Sequence, residues 1–447
     1  MKHFKQQIAA IIFFIFILSN LSFSQKVFKH PNPTEKLNSR WEWALKEANS
    51  RKFRDGFWIG YSVQRLMGVN SFIGSIKSHP RPEEIPLEEI IYGKKAESKE
   101  KNVSDEETLK EAASRALKRI QDPNSGEEKI IKDVAILFEF GKKPDPEYIE
   151  RVKVSNLSLH VDLDDLPLIW LGKAEDDQSI PLLERLYKDV SSEDVKEKMV
   201  TAVGVHEHSD LTVSFLERVL KSDDPDDVRE KAAFWMGQQD NERALKILLQ
   251  TAQKDRSREV RKKAVFGISQ IEADGATEAL INLAEKADDD EIREKAIFWL
   301  GQGEREKALK FLIKVAKTDP SSDVREKAVF AISQMDSEKA LDALIDLAYH
   351  ASKKSVRKKA IFWLGQKASK KAVAALTDVV DNDADIEVQK RAVFALTQLP
   401  HHEGVPHLIK IAKTHPSQEI RKKAIFWLGQ SDDERALDAL VEIVGKK

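Results

Sequence analysis

Not one of the 447 residues is cysteine. The chain therefore has no disulfide framework, no thiolate zinc site, no cysteine nucleophile and no lipid-modified cysteine. Aromatic residues are scarce at 7%, and neither sign of charge predominates, since 73 Lys and Arg against 75 Asp and Glu leave a formal charge of −2. That balance excludes a strongly basic nucleic-acid binder. The sequence also lacks a glycine-rich phosphate loop, a GxSxG elbow and an HExxH zinc helix. What it has in excess is charge of both signs, 33% of the chain against a usual value of about 25%, beside 41% hydrophobic residues. This is the composition of well-solvated helices around an extended core.

Long apolar runs are missing too, apart from the eleven residues Ile8 to Leu18. Lys2 and Lys5 precede that run and Ser22-Phe23-Ser24 follows it, which is the pattern of a secretory signal peptide over residues 1–24 with cleavage after Ser24. The expected location is periplasmic or extracellular, and loss of Lys2 and Lys5 takes the charge from −2 to −4. An uncleaved anchor is the alternative, for which eleven residues fall short of the ~20 that span a bilayer.

Most of the remaining chain repeats itself. Arg229, Arg261, Arg293, Arg325, Arg357, Gln389 and Arg421 recur every 32 residues, each preceded by Val or Ile and followed by Lys/Arg-Ala-x-Phe two positions on. Seven strong units and two degenerate ones, around Val195 to Gly204 and Leu163 to Gly172, make about nine. Counted from Val228 as zero, Val228, Ala232, Trp235 and Met236 stand at offsets 0, 4, 7 and 8, one apolar stripe of a helix. Ser or Asp before the stripe provides an N-cap, and acidic residues in the first turn favour the positive end of the helix dipole. A second stripe, such as Ala436-Leu437, Leu440-Val441 and Val444, marks the other helix of each unit. Two short amphipathic helices bury their apolar faces only by stacking on neighbours, so the expected architecture is an all-α solenoid over residues 156–447.

The D/S-x-E-[VI]-R-x-K-A-x-x-x-[LI] helix alternating with an A-L-x-x-L-[IV] helix, seen in IREKAIFWLGQ from Ile292 and ALDALVEIV from Ala436, resembles the short HEAT repeats first associated with phycobilisome lyases. With its leader segment and its FWLGQ/FAISQ alternation, the chain resembles secreted bacterial HEAT-repeat proteins. The resemblance implies the helical fold and no particular activity, because one scaffold hosts many functions. It carries over no lyase residue.

Two features lie on top of the repeat. Trp235, Trp299, Trp363 and Trp427 recur every 64 residues, with Gly267, Ala331 and Ala395 between them, so each indole is expected to fill room left by a small residue next door. At offset 6, Phe234, Phe266, Phe298, Phe330, Phe362, Phe394 and Phe426 lie roughly 140° from the core direction. Offset 3 adds Lys231, Lys263, Lys295, Lys327, Lys359, Arg391 and Lys423, and offset 10 adds Gln238, Gln270, Gln302, Gln334, Gln366, Gln398 and Gln430, on the same side. One reading is a partner-binding stripe for an extended polypeptide or a protein surface. The other is inter-repeat packing, with each Phe against the offset-5 Val or Ile of the next helix and each Gln on loop carbonyls. The Arg at offset 1 is expected to form a ladder with acidic first-turn residues of neighbouring units.

Residues 25–155 lack the repeat and read as a small α+β segment with a charged linker. A helix is expected over Trp41 to Ala48, a strand over Gly56 to Val63 hairpinned to Phe72 to Ile76, and a helix over Glu106 to Ile120. Strands are expected over Asp133 to Phe140 and Tyr148 to Val154. The segment either caps the first repeat or is a recognition module. The histidine clusters His206-Glu207-His208 and His401-His402-Glu403 with His407 raise a metal site, or a likeness to the HEAT-repeat deoxyhypusine hydroxylases. They lie after helix ends and outside matching repeat positions, so they are read as surface residues, and no cofactor, metal or catalytic residue is assigned. The expected function is an exported interaction scaffold with a protein or peptide partner, no nucleic acid and no stable membrane span. Self-association through the C-terminal helix is an added expectation; the alternative function is a metal-dependent or other enzyme built on the repeats, hydroxylase-like or lyase-like.

Overall fold

The computed structural model describes residues 26–74, 85–93, 129–206, 209–273, 275–303, 305–367 and 369–445. They fall into two compact units, one up to Gln239 and one from Asp240. The leader over residues 1–24 and the helix expected over Glu106 to Ile120 lie outside the described residues.

The first unit is built on a five-stranded sheet of order β1-β5-β2-β3-β4, with β1 Val27–Lys29, β2 Phe57–Gly68, β3 Lys129–Phe140, β4 Ile149–Asn156 and β5 Leu168–Lys173. β5 runs parallel to both β1 and β2, whereas β2-β3 and β3-β4 are antiparallel. The period-2 alternation of β2 divides its side chains between two covered faces. Phe57, Ile59, Tyr61 and Val63 lie on one face, where Trp41 of helix α1 (Leu37–Arg51) meets the ring of Phe138 edge-on at 5.2 Å. Trp58 lies on the other, in a core with Leu137, Leu168 and Trp170 and with Leu87 and Ile91 of the short helix α2 (Leu87–Tyr92).

Three expectations change here. The antiparallel partner of β2 is the distant β3, and residues 71–74 form no strand. Phe72 is exposed under the Lys132 ammonium, because Phe57 to Gly68 finds a longer apolar complement in Lys129 to Phe140. The weak repeat copy at Leu163 to Gly172 is instead β5. Its run Leu168-Ile169-Trp170-Leu171 is buried throughout, as a parallel strand between two neighbours requires. The helical array therefore starts at Asp176 rather than at residue 156.

Seventeen helices follow: α3 (Asp176–Asp189), α4 (Glu193–Gly204), α5 (Asp210–Leu220) and α6 (Asp226–Gly237) in the first unit. The second unit holds α7 (Glu242–Lys254), α8 (Arg258–Gln270), α9 (Gly275–Lys286), α10 (Asp290–Gly301), α11 (Glu306–Thr318), α12 (Ser322–Gln334), α13 (Glu338–His350), α14 (Lys354–Leu364), α15 (Lys370–Asn382), α16 (Ile386–Thr397), α17 (Val405–Thr414), α18 (Gln418–Leu428) and α19 (Glu434–Gly445). The fold is thus a helical repeat array preceded by a small α+β segment, with eight helix pairs and one further helix. Side-chain caps form at most of the expected positions: Ser321, Ser417, Asp289 and Asp385 accept from the backbone amides of Val324, Ile420, Glu291 and Glu387, whereas Ser257 makes no side-chain cap bond.

The offset-1 arginines tie each inter-helix loop to the helix that follows. Arg261, Arg325, Arg357 and Arg421 donate from Nη1 to the carbonyls of Asp255, Asp319, Ala351 and His415. Arg261, Arg293 and Arg357 also reach forward to Asp289, Asp319 and Asp383. The cross-unit acceptors are thus loop and cap aspartates rather than first-turn acids. Gln389, standing where its neighbours have Arg, keeps the carbonyl bond, to Asp383 at 2.7 Å.

Candidate ligand-binding face

The second helices of the unit from Asp240 present the Lys, Phe and Gln positions on one side. Their Phe rings are neither buried nor free: Phe266, Phe298, Phe330, Phe362 and Phe394 are partly buried, and Phe426 is 53% exposed. Each neighbouring ring is aromatic. Phe266, Phe330 and Phe394 each lie 5.1 Å from the indole of the following repeat, Trp299, Trp363 and Trp427. Those indoles in turn meet Phe298, Phe362 and Phe426 edge-on at 5.0, 4.9 and 5.0 Å. Phe298 stacks on Phe330 at 6.4 Å. The one gap, between Phe362 and Phe394, is filled by the Arg391 guanidinium, 4.8 and 5.1 Å from the two ring centres. Lys423 sits over Phe426 and Trp427 at the far end. The result is an unbroken ladder from Phe266 to Phe426, held by ring-edge and cation-π contacts that each contribute about 0.5–1.5 kcal/mol.

The sequence reading placed the tryptophans in the core, and here the structure differs. Trp299, Trp363 and Trp427 are only partly buried and belong to the ladder. Offset 7 borders the apolar stripe on one side and the Phe position on the other, so a bulky ring there can turn either way. Close packing falls instead to the glycine two residues further on. A Cβ added to Gly301 would stand 2.6 Å from the Ala331 carbonyl oxygen, and one on Gly365 would stand 2.7 Å from that of Ala395. In the first unit an indole does meet a glycine, though at a different repeat position from the one expected, since a Cβ on Gly204 would meet Trp235 at 2.2 Å.

The 64-residue period therefore produces two kinds of junction. Gly301 on Ala331 and Gly365 on Ala395 bring the second helices together tightly. At two of the three alternate junctions, where Ser269 faces Trp299 and Thr397 faces Trp427, there are cavities of about 200 and 210 Å3. Each is lined by one indole and two glutamines, Gln270 with Gln302 in the first and Gln398 with Gln430 in the second. Gln270, Gln334 and Gln398 donate to the hydroxyls of Ser269, Ser333 and Thr397 rather than to loop carbonyls.

The offset-3 cations divide. Lys327 and Lys359 pair with Glu294 and Glu326 of the preceding second helix at 3.5 and 3.0 Å, and Lys231 pairs with Glu197 at 3.4 Å. Lys295 is exposed, while Lys263, Arg391 and Lys423 are partly buried. In the first unit Phe234 lies against Trp235 at 5.4 Å and Gln238 is partly buried. The exposed amides of Gln302, Gln334, Gln366 and Gln430 complete the face.

The histidines are spread over different settings. His206 is buried: its Nδ1 donates to the Val203 carbonyl at 3.0 Å, its Nε2 accepts from the Ser179 hydroxyl at 2.8 Å, and Ser179 accepts from Tyr61 at 2.8 Å. Burial lowers its pKa to about 4. This corrects its reading as a surface residue. His401 and His402 are exposed with left-handed backbone, φ 54° and 55°, and His407 contacts Thr377 at 3.1 Å. Among the described residues, no three His, Asp or Glu side chains converge as a metal-holding group.

A model of HEAT repeats matches residues 213–296, 277–365 and 373–447, together more than half of the chain. The protein belongs to the HEAT-repeat family. No curated protein matches the chain. Among solved structures, this HEAT array is similar to human deoxyhypusine hydroxylase in complex with glycerol, at 19% identity over 60% of this chain and 97% of that one, with a TM-score of 0.25. It is similar to the CpcE–CpcF complex of phycocyanin lyase from Nostoc sp. PCC7120, at 19% identity over 53% of this chain and 96% of that one, with a TM-score of 0.27. Kap95p in complex with RanGDP matches at 12% identity over 60% of this chain and 44% of that one, with a TM-score of 0.35.

Proposed function

We propose that this HEAT-repeat protein is an exported, non-enzymatic scaffold that binds a protein or peptide along the Lys/Phe/Gln face of its second helices. The observation that carries the reading is the ladder from Phe266 to Phe426, whose rings hold one another in place yet stay partly accessible. Rings ordered before binding lose little further entropy when a partner docks, and the flanking amides and ammonium groups supply hydrogen bonds to an extended backbone. Repeat arrays form such extended surfaces because each unit presents the same positions in register.

The test is a pair of double substitutions, Phe298→Ser with Phe330→Ser and Phe362→Ser with Phe394→Ser, which together locate the binding part of the face, using partners captured by cross-linking in the native envelope. Loss of a cross-linked partner with a melting temperature lowered by only a few degrees is expected. Lost stability with partner binding intact would assign the ladder to packing alone. Export rests on the pattern of residues 1–24, and intact-mass measurement of the native protein that finds Met1 retained would remove it. Among the described residues no helix is long and apolar enough to cross a membrane. Self-association belongs to the same reading: Leu437 and Val444 of α19 are 65% and 71% exposed, whereas the equivalent Leu309 and Ala316 are buried. A monomer by light scattering at micromolar concentration would dismiss it.

A further inference from the structure

Charge is distributed unevenly among the second helices of the unit from Asp240. α14, α16 and α18 together carry nine Lys and Arg against two Asp and Glu, a net of +7. α10 and α12 carry four against five, a net of −1, and α8 carries four against one, but Arg258, Arg261 and Lys262 there pair with Asp289, Glu259 and Glu291. Much of the positive excess is matched locally. Lys354 and Arg357 pair with Asp385 and Asp383, Lys359 with Glu326, and Lys390 with both Glu387 and Glu419.

Four cations are left over. Apart from the offset-1 arginines, which bond to loop carbonyls, Lys358, Arg391, Lys422 and Lys423 have no carboxylate within ion-pair distance among the described residues. On α10 and α12 only Lys295 is in that position. Lys358 and Lys422 stand at offset 2 and Lys423 at offset 3, on either side of the phenyl position. Arg391 is wedged between Phe362 and Phe394, where burial works against its charge and no anion compensates. An unpaired, partly desolvated guanidinium is costly, and an arriving carboxylate relieves that cost.

We propose that the ligand of this face is an extended acidic polypeptide lying across α14, α16 and α18, its carboxylates on Lys358, Arg391, Lys422 and Lys423 and its apolar side chains against Phe362, Phe394 and Phe426. The proposal rests on the polypeptide-binding reading above. A single-stranded nucleic acid fits less well, because base stacking needs open ring faces. Here every ring from Trp299 to Trp427 already has two ring or cation neighbours.

Helix axes about 8–10 Å apart put α18 roughly 20 Å from α14, a span that about six extended residues cover. Labelled peptides of about twice that length, alternating Glu-Leu, Gln-Leu or Lys-Leu, are suitable probes for fluorescence anisotropy on the full chain. The Glu-Leu peptide is expected to bind about tenfold more tightly than the Gln-Leu one at low salt, and to lose that advantage as salt is raised. Combining Lys358→Glu, Lys422→Glu and Lys423→Glu should weaken it by about tenfold or more, while Lys314→Glu with Lys317→Glu, on a first helix away from this face, should leave it within about twofold. Circular dichroism melts check that the triple variant folds; if it does not, the exposed Lys422→Glu alone must show the same direction of change.

Equal binding of the Glu-Leu and Gln-Leu peptides, kept in the triple variant but lost in Phe362→Ser with Phe394→Ser, overturns the acidic ligand and leaves the polypeptide face standing. Binding of none of the three peptides overturns both readings. Tighter binding of a single-stranded oligonucleotide than of the Glu-Leu peptide also overturns the proposal, in favour of nucleic acid.

Discussion

The two units use their aromatic residues in opposite ways. Around the sheet, Trp41, Trp58, Phe57, Tyr61, Phe138 and Phe140 are almost wholly buried, and they hold together strands far apart in sequence. In the unit from Asp240, aliphatic residues such as Val260, Ile297, Leu300 and Val329 fill most of the core, and the rings of the second helices are displaced to its border. A sheet with both faces covered needs large side chains to fill the layer between it and its helices. A stack of short helices meets its neighbours at close range, so small and aliphatic residues suffice and rings become available for a surface.

The largest expected effect tests that contrast directly. Phe138→Ala should cost about 3–5 kcal/mol in denaturant unfolding of the first unit, against about 1–2 kcal/mol for Phe330→Ala in the second. Hydrogen exchange resolved by region reads the two separately. Equal costs would mean that the ladder is core after all.

Next in size is the pH response of the first unit. His206 is neutral in the fold with its pKa lowered to about 4, below the ordinary 6.5 that it recovers on unfolding. The unfolded chain therefore binds a proton that the fold refuses. Stability is complete above that ordinary value and falls as pH drops from it to the folded value, by about 3 kcal/mol. Melting scans across that range should show the fall, and His206→Gln should flatten it.

Smaller still is the effect of junction type. Gly301→Ala drives a methyl into the Ala331 backbone and should cost about 1–3 kcal/mol, whereas Gly429→Ala has only contacts of 3.4 Å or more and should change stability by less than about 0.5 kcal/mol. Thermal melts of the two variants compare them. The least effect is expected from the exposed pairs linking successive first helices, such as Lys314 with Glu285 and Lys317 with Asp346. Lys314→Ala should shift stability by at most about 0.5 kcal/mol, and the shift should vanish in high salt.

The helix pairs, their caps and their core stripes were legible because each repeat restates the same offsets, so chance apolar spacings average out over seven copies. The sheet was less so. β2 pairs with β3 across a charged segment, and periodicity within a strand carries no information about which distant strand it joins. At Leu163 to Gly172 an apolar run fits a helix as well as a buried strand, and its place between β1 and β2 decides the matter. The Phe, Lys and Gln positions were found by angle, but the entry of the tryptophans into the ladder was not. Offset 7 sits on the boundary of the core stripe, and the outcome depends on the close approach permitted by Gly301 and Gly365.

The alternation of tight and open junctions also sets how this array can change length. Within the unit from Asp240, removing one 32-residue unit would place a glycine end against an indole, or a serine end against an alanine, and so break both the sequence of junctions there and the ladder. Removing or inserting 64 residues leaves every junction of a kind already present and every ring with its partner. The heritable module is thus the pair of repeats, and an array of this kind is expected to lengthen or shorten by even steps.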